Sequence, residues 1–232
     1  MRCDLCHRGC VGSLPLFRGL PSTDIRDIQR LVTHGSYRKG DAVIREGDPL
    51  AAIYIVEHGQ AKVFAQNPNG GEQVLRWLQA GDFYGELALV AATSAPSTVQ
   101  ALTDLRICSI SASGLRNYLL QHPAATLSIL EAVANRLRQA ERLSEQLGLM
   151  SSRQRVAALL LHLAERQGHD TSQGKRIQLY MNREELAAMI GLRQETFSRC
   201  LSEFRQQGWV QTEGYKVLYI IDEKMLRSAE QS

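Results

Sequence analysis

The side chains best equipped for chemistry are the five cysteines, and their distribution is lopsided: Cys3, Cys6 and Cys10 crowd the start of the chain, with Cys108 and Cys200 far downstream. In a reducing compartment, a C-x2-C-x3-C run reads as metal ligands or a redox sensor before it reads as structural disulfides. Soft thiolates favour iron–sulfur clusters or zinc over hard cations such as magnesium. His7, inside the run, is either a further nitrogen donor or a solvated side chain. A dithiol oxidoreductase built on Cys3-x-x-Cys6 lacks the βαβ pattern that such enzymes carry around the motif, so no enzymatic activity is expected.

A second constellation lies near the C-terminus. Gln194, Glu195, Ser198, Arg199 and Ser202 fall on one face of a helix whose opposite face carries Phe197, Cys200, Leu201 and Phe204. Such a helix buries one stripe and leaves the other for a partner. Ala187 and Gly191 stand upstream where a helix-turn-helix needs a small residue at the crossing and a residue tolerant of positive φ in the turn. Glu195 and Arg199, one turn apart, match base edges: a carboxylate accepts from the cytosine amino group, and a guanidinium forks onto guanine O6 and N7. The plainer alternative is an i, i+4 surface ion pair. The glycine turn, the inward stripe and a following hairpin from Trp209 to Ile220 together favour DNA reading. Arg193, at the helix N-cap, is placed to meet a phosphate rather than to cap.

These residues must be held by more than one folding unit. A chain of 232 residues exceeds one small core, and 44% hydrophobic with 22% charged residues excludes a mainly disordered state. A net charge of +3 cannot by itself support nucleic-acid binding, which is why the local pattern matters. No stretch approaches the eighteen or so apolar residues of a membrane span, and Met1-Arg2-Cys3-Asp4 opens no signal-peptide run, so a cytoplasmic protein with no membrane partner is expected.

Residues 1–20 read as a cysteine-rich leader. Pro21-Ser22-Thr23-Asp24 supplies cap candidates for a short helix with Ile25, Ile28, Leu31 and Val32 on its apolar side. From Tyr37 to about Ile110, short strands are punctuated by Gly40-Asp41, Gly47-Asp48, Gly59, Asn69-Gly70-Gly71 and Gly81-Asp82, which predicts a compact antiparallel roll over 21–123. Asn69-Gly70 marks its clearest hairpin. Over 124–148, Leu130, Val133, Leu137, Ala140, Ser144 and Leu147 recur at alternating spacings of three and four, an a/d stripe with no second apolar face on a helix flanked by Arg136, Arg138, Glu141, Arg142 and Glu145. That predicts a homodimer seam, the alternative being a helix packed on its own roll. Ser152 is the expected N-cap opening residues 149–232, with Gly168 to Gly174 a polar loop and Ile177-Gln178-Leu179 a strand. The fold class expected is α+β.

The whole arrangement resembles the CRP/FNR family of bacterial transcription regulators. Gly81-Asp82-Phe83-Tyr84-Gly85-Glu86-Leu87 is similar to the family's cyclic-nucleotide-type β-roll, and the long dimerisation helix and winged helix-turn-helix follow in the family's order. The E-x-x-S-R pattern of Glu195, Ser198 and Arg199 resembles the FNR branch, where these residues read a TTGAT-like half-site. In the cyclic-AMP branch, an Arg-Ser pair neutralises the cyclic phosphate, and here that pair stands as Pro96-Ser97. Proline supplies neither charge nor N–H, so a cyclic nucleotide is not expected and Gly85 and Glu86 read as turn and roll structure.

The stretch from Pro96 to Cys108 resembles the oxygen-sensing FNR branch, where it ends in a cluster-ligand cysteine. The likeness implies a [4Fe-4S] cluster held by Cys3, Cys6, Cys10 and Cys108, although the gap before the third cysteine is shorter here than in that branch. A thiol–disulfide switch, zinc at the same cysteines, and an organic effector in the roll are the competing readings. By resemblance, the partners are palindromic double-stranded DNA, a second copy of the chain and RNA polymerase, and the signal is oxygen, nitric oxide or redox state.

Overall fold

The computed structural model describes residues 17, 20–66 and 71–231, and divides the chain into two compact units: the first runs to Gln66 and from Leu75 to Gln139, and the second takes Asn67–Val74 and the chain from Ala140 onward. In the N-terminal half, α1 (Ser22–Gln29) leads into eight strands: β1 (Val32–Tyr37), β2 (Ala42–Ile44), β3 (Ala52–His58), β4 (Gln60–Gln66), β5 (Glu72–Gln79), β6 (Phe83–Tyr84), β7 (Thr98–Ala101) and β8 (Leu105–Ser111). A 3-10 turn at Glu86–Leu89 follows β6, and α2 (Ala112–Gln121) and α3 (Pro123–Leu149) follow β8. The strands form two four-stranded sheets, ordered β1-β8-β3-β6 and β2-β7-β4-β5, in which the pairs with a described register are antiparallel. The expected roll and the α+β class are what the structure shows.

The punctuating Gly-Asp pairs have one shared role. Asp41, Asp48 and Asp82 each accept, through Oδ2, the backbone N–H three residues earlier, at 2.8, 2.9 and 2.9 Å from Arg38, Arg45 and Gln79. Each carboxylate closes its own turn, satisfying a donor that the sheet ladder leaves over.

Strand β8 explains how the roll is layered. Leu105 and Ile107 point between the two sheets, into a core with Val56, Val63, Leu78 and Val99. Cys108 and Ile110 belong to a second core, with Ile53, Ile55, Phe83, Ile28 of α1 and Ala125 and Ile129 of α3. A strand buried on both faces reads as a near-continuous apolar run, as Leu105-Arg106-Ile107-Cys108 nearly does. Phe17 and Leu20 are also members of this second core.

Two local expectations in this half are corrected. Helix α1 begins at Ser22 with Pro21 in the N-cap position and no side-chain cap, and it ends before Leu31 and Val32, the latter opening β1. The long helix does have a second apolar face: Ala125 and Ile129 are buried against the roll, with Ala132 and Val133 packed beside them. The heptad pattern registered one stripe and missed the other. The Asn69-Gly70 turn lies outside the described residues, although β4 and β5, which flank it, are neighbours in one sheet.

The second unit holds α4 (Ser152–Gln167), β9 (His169–Thr171), β10 (Gly174–Gln178), α5 (Arg183–Met189), α6 (Gln194–Gln206), β11 (Val210–Glu213), β12 (Val217–Ile220) and α7 (Glu223–Gln231). Its sheet runs β11-β12-β10-β9. The polar loop therefore contains a strand, with His169 opposite Arg176 and Thr171 opposite Gly174. The α4 cap is Ser151, one residue earlier than expected, in a capping box with Gln154.

Candidate nucleic-acid interface and sensory site

The helix pair α5–α6 is fixed at both ends by local chemistry. Asn182 Oδ1 accepts from the Glu185 N–H and Glu185 Oε2 accepts from the Asn182 N–H, both at 2.9 Å, so α5 starts on a complete capping box. The chain then turns at Gly191, whose φ of 63° is left-handed backbone that a side chain resists. Ala187 is fully buried at the crossing, and Phe197, Cys200, Leu201 and Phe204 are all buried along the inner face of α6. Gln194, Glu195, Arg199 and Ser202 are exposed on the outer face, with Ser198 half-buried beside them. Arg193 precedes the helix without a side-chain cap bond and is exposed.

Arg153 of α4 braces the far end of α6 and was not foreseen. Its guanidinium lies 4.9 Å from the Phe204 ring centre and 5.0 Å from that of Trp209, with Nη1 donating to Glu203 at 3.1 Å and Nη2 to Gln207 at 2.8 Å. In the wing, Val210 pairs with Ile220 and Glu213 with Val217, leaving Gly214, Tyr215 and Lys216 as the tip. Tyr215 is 83% exposed there. Burial, and then the neighbouring Glu203 carboxylate, push the Cys200 thiol up, in keeping with a packed rather than a reactive cysteine.

In the roll, Gly85 has a φ of 99° and a Cβ built on it would stand 2.5 Å from the Ala52 carbonyl oxygen, so the position is closed to other residues. Glu86 pairs with Arg136 of α3, both largely buried. Burial, followed by the nearby Arg76, pulls the Arg136 guanidinium down to about 9, a cost that the Glu86 carboxylate offsets as its counter-ion. Ser97 is 3% exposed, and the Tyr84 hydroxyl donates to its carbonyl at 2.9 Å with its Oγ 3.1 Å away.

Cys108 is 1% exposed. Its neighbours across the ladder are His34 on β1 and Ile55 on β3. Strand alternation carries Glu57 to the same face as Ile55, and the Cys108 Sγ lies 3.5 Å from His34 Nδ1 and 4.0 Å from Glu57 Oε2. His34 and Glu57 are functional candidates that sequence reasoning missed: only the strand register joins residues this far apart along the chain. Cys3, Cys6, His7 and Cys10 lie outside the described residues.

Residues 34–122 match the family of cyclic nucleotide-binding domains, and residues 154–229 match the Crp-like helix-turn-helix domains. The chain belongs to the CRP/FNR family of transcription regulators. It is 28% identical over 214 residues to the CRP-like cAMP-activated global transcriptional regulator of Mycobacterium tuberculosis, covering 92% of this chain and 96% of that one. It is 27% identical over 218 residues to the transcriptional activator protein anr of Pseudomonas aeruginosa, covering 94% and 88%. The structure of FixK2 from Bradyrhizobium japonicum superposes with a TM-score of 0.77 at 23% identity, covering 87% of this chain and 98% of that one.

As a CRP/FNR regulator the chain is a DNA-binding protein. The helix carrying the expected seam presents Leu127, Leu130 and Leu137, each 60% exposed, with Ala140 also exposed and Val133 half-buried toward the roll. The Leu143 and Leu147 side chains are outside the described set. Among the described residues, no helix is long and apolar enough to cross a membrane.

Proposed function

We propose that this CRP/FNR regulator is a cytoplasmic homodimer that binds a palindromic TTGAT-like site, acts with RNA polymerase, and is controlled by a [4Fe-4S] cluster on Cys3, Cys6, Cys10 and Cys108 that senses oxygen, nitric oxide or redox state. Gln194, Glu195, Ser198 and Arg199 read the half-site, and Leu130, Val133, Leu137 and Ala140 contribute the seam. The exposed polar face of α6 over a fully packed inner face supports the DNA part, because those side chains have no intramolecular core to join.

One observation carries the cluster part: Phe17 and Leu20 pack in the same core as Cys108. Cys10 precedes Phe17 by seven residues, a span of at most about 25 Å of extended chain, so chain length allows Cys10 to reach the layer that holds Cys108. Four thiolates suit a cubane cluster, and the partly exposed His34 side chain lies 3.5 Å from the Cys108 thiol. When bound, the cluster supplies an oxygen-labile iron centre. The chain's own residues do the rest: Cys108 anchors the leader to the layer that holds Ala125 and Ile129 of α3, and α3 carries the seam.

Cyclic AMP control, which the M. tuberculosis relative's name describes, would require a cation for the phosphate. Pro96 offers none, and Arg136 already faces Glu86. The deciding measurement is iron and acid-labile sulfide per chain after strictly anaerobic purification, with DNA affinity followed before and after air. About four iron atoms per chain, lost together with tight binding, is the expected outcome. Iron-free anaerobic protein that binds its site at full affinity would overturn the cluster and leave the thiol switch in its place.

A further inference from the structure

We propose that His34, Glu57 and Cys108 form a mononuclear site for a zinc-class divalent cation, filled when Cys108 is not engaged by a cluster. The three ligand atoms come from three adjacent strands, β1, β3 and β8, and all lie within 4.8 Å of one another. Cys108 Sγ to His34 Nδ1 is 3.5 Å, Cys108 Sγ to Glu57 Oε2 is 4.0 Å, and His34 Nδ1 to Glu57 Oε2 is 3.8 Å. A tetrahedral zinc ion with ordinary bond lengths requires edges of about 3.3–3.6 Å between sulfur, nitrogen and oxygen ligands. The point equidistant from the three atoms is about 2.2 Å from each, between an ordinary Zn–N bond of about 2.0–2.1 Å and a Zn–S bond of about 2.3 Å. A small contraction, rather than a rearrangement, completes the site.

The ligand chemistry is selective. One thiolate, one imidazole and one carboxylate is a borderline-soft set, suited to zinc, cobalt or ferrous iron and poorly suited to magnesium or calcium. The surroundings hold each ligand in place. The Glu57 side chain is 4% exposed, and its other oxygen, Oε1, faces Arg106 Nη2 at 3.9 Å, which leaves Oε2 directed at the site. Cys108 is fixed by ladder pairing on both sides. His34, with its side chain 36% exposed, is the entry side, so the fourth position opens to water or an incoming ligand. Coordination through Nδ1 requires the Nε2–H tautomer, and the Cys108 proton leaves to solvent when the metal binds.

This site is independent of the cluster except for sharing Cys108, so one thiolate cannot serve both at once. Metal occupancy would hold β1, β3 and β8 together at the end of the roll that faces α1 and α3. Zinc-class cations would thus compete with cluster assembly at its most distant ligand.

The test uses the full chain with Cys3→Ser, Cys6→Ser and Cys10→Ser, which removes the leader thiolates and leaves Cys108 and Cys200. Titration with cobalt(II) should give one equivalent per chain, with a thiolate-to-cobalt charge-transfer band and the intense visible bands of a near-tetrahedral site, and zinc should displace it. Adding His34→Ala or Cys108→Ser should weaken binding by more than the roughly 10–100-fold typical of losing a supporting contact. Adding Cys200→Ser should change nothing. His34 is exposed enough for its alanine variant to keep the fold, and far-ultraviolet circular dichroism checks that it does. Absence of a thiolate band, or a band that survives both His34→Ala and Cys108→Ser, overturns the site. Iron and sulfide in the wild-type chain report on the cluster separately, so either proposal can fail while the other stands.

Discussion

Replacing Leu137 by Glu is the sharpest probe of the proposed seam. Leu127, Leu130 and Leu137 are each 60% exposed on α3, which is costly for leucine unless another surface covers them. Full burial of a leucine contributes about 1.5–3 kcal/mol, so the part of Leu137 still open to water is worth about 1–2 kcal/mol, and a two-fold seam counts it twice. Loss of about 2–4 kcal/mol corresponds to a dimer dissociation constant raised roughly 30- to several-hundred-fold, before any repulsion between the two new carboxylates. Sedimentation equilibrium across a concentration series reads this directly. Leu120→Glu is the control: Leu120 is 78% exposed, but it lies on α2, off the stripe, and its replacement should leave the dimer unchanged. If Leu137→Glu sediments as wild type does, or Leu120→Glu dissociates as readily, the stripe on α3 is not the seam.

Arg199→Ala should cost about 1–3 kcal/mol per half-site and relax discrimination at one base pair, whereas Glu195→Ala should relax it at another. Anisotropy titrations on single-base-substituted sites check both, and an equal loss on random DNA would reduce Arg199 to a phosphate contact. Gly85→Ala should lose roughly 1–3 kcal/mol of stability in urea unfolding of the first unit, because the new methyl meets the Ala52 carbonyl at 2.5 Å on left-handed backbone. An unchanged urea midpoint would mean that the turn relaxes freely. The Cys200 thiol, pushed up by burial and then by Glu203, should resist iodoacetamide in the native protein up to mildly alkaline pH and react only after unfolding. Alkylation of native Cys200 at the rate of a free thiol would contradict its packed role.

What was legible in the sequence is what lies close along it. The helix-turn-helix spans little more than twenty residues, so the glycine turn, the crossing alanine and the inward stripe of α6 all fall inside one window of periodicity. Signals that were present but passed over include Asp222, whose Oδ1 accepts the Met225 N–H at 3.0 Å and opens α7, with Leu226 and Ala229 buried beneath it. The second apolar face of α3 was hidden because Ala125 and Ile129 were read against a heptad pattern tuned to one stripe. His34, Glu57 and Cys108 could not be joined from spacing at all. Their meeting depends on antiparallel register across three strands, and a one-residue slip in either pairing would turn the ligands to opposite faces.

That register also bears on how a signal at Cys108 could reach DNA-binding competence. Cys108, Ile53, Ile55 and Ile110 share one packed layer with Ala125 and Ile129 of α3, and Glu86 of the roll is tied to Arg136, about two turns beyond Ile129 on that helix. Close-packed interiors transmit a displacement of one ligand to its neighbours instead of absorbing it. The leucines proposed to meet a second copy are exposed on the same helix segment that this layer grips, and Val133 of the proposed seam borders the layer itself. A change in what Cys108 binds therefore acts on the packing that sets the position of α3, and α3 is where dimerisation would be decided. Under the proposed mechanism Cys108 needs no contact with DNA: altering the packing of the helix that carries the proposed seam suffices.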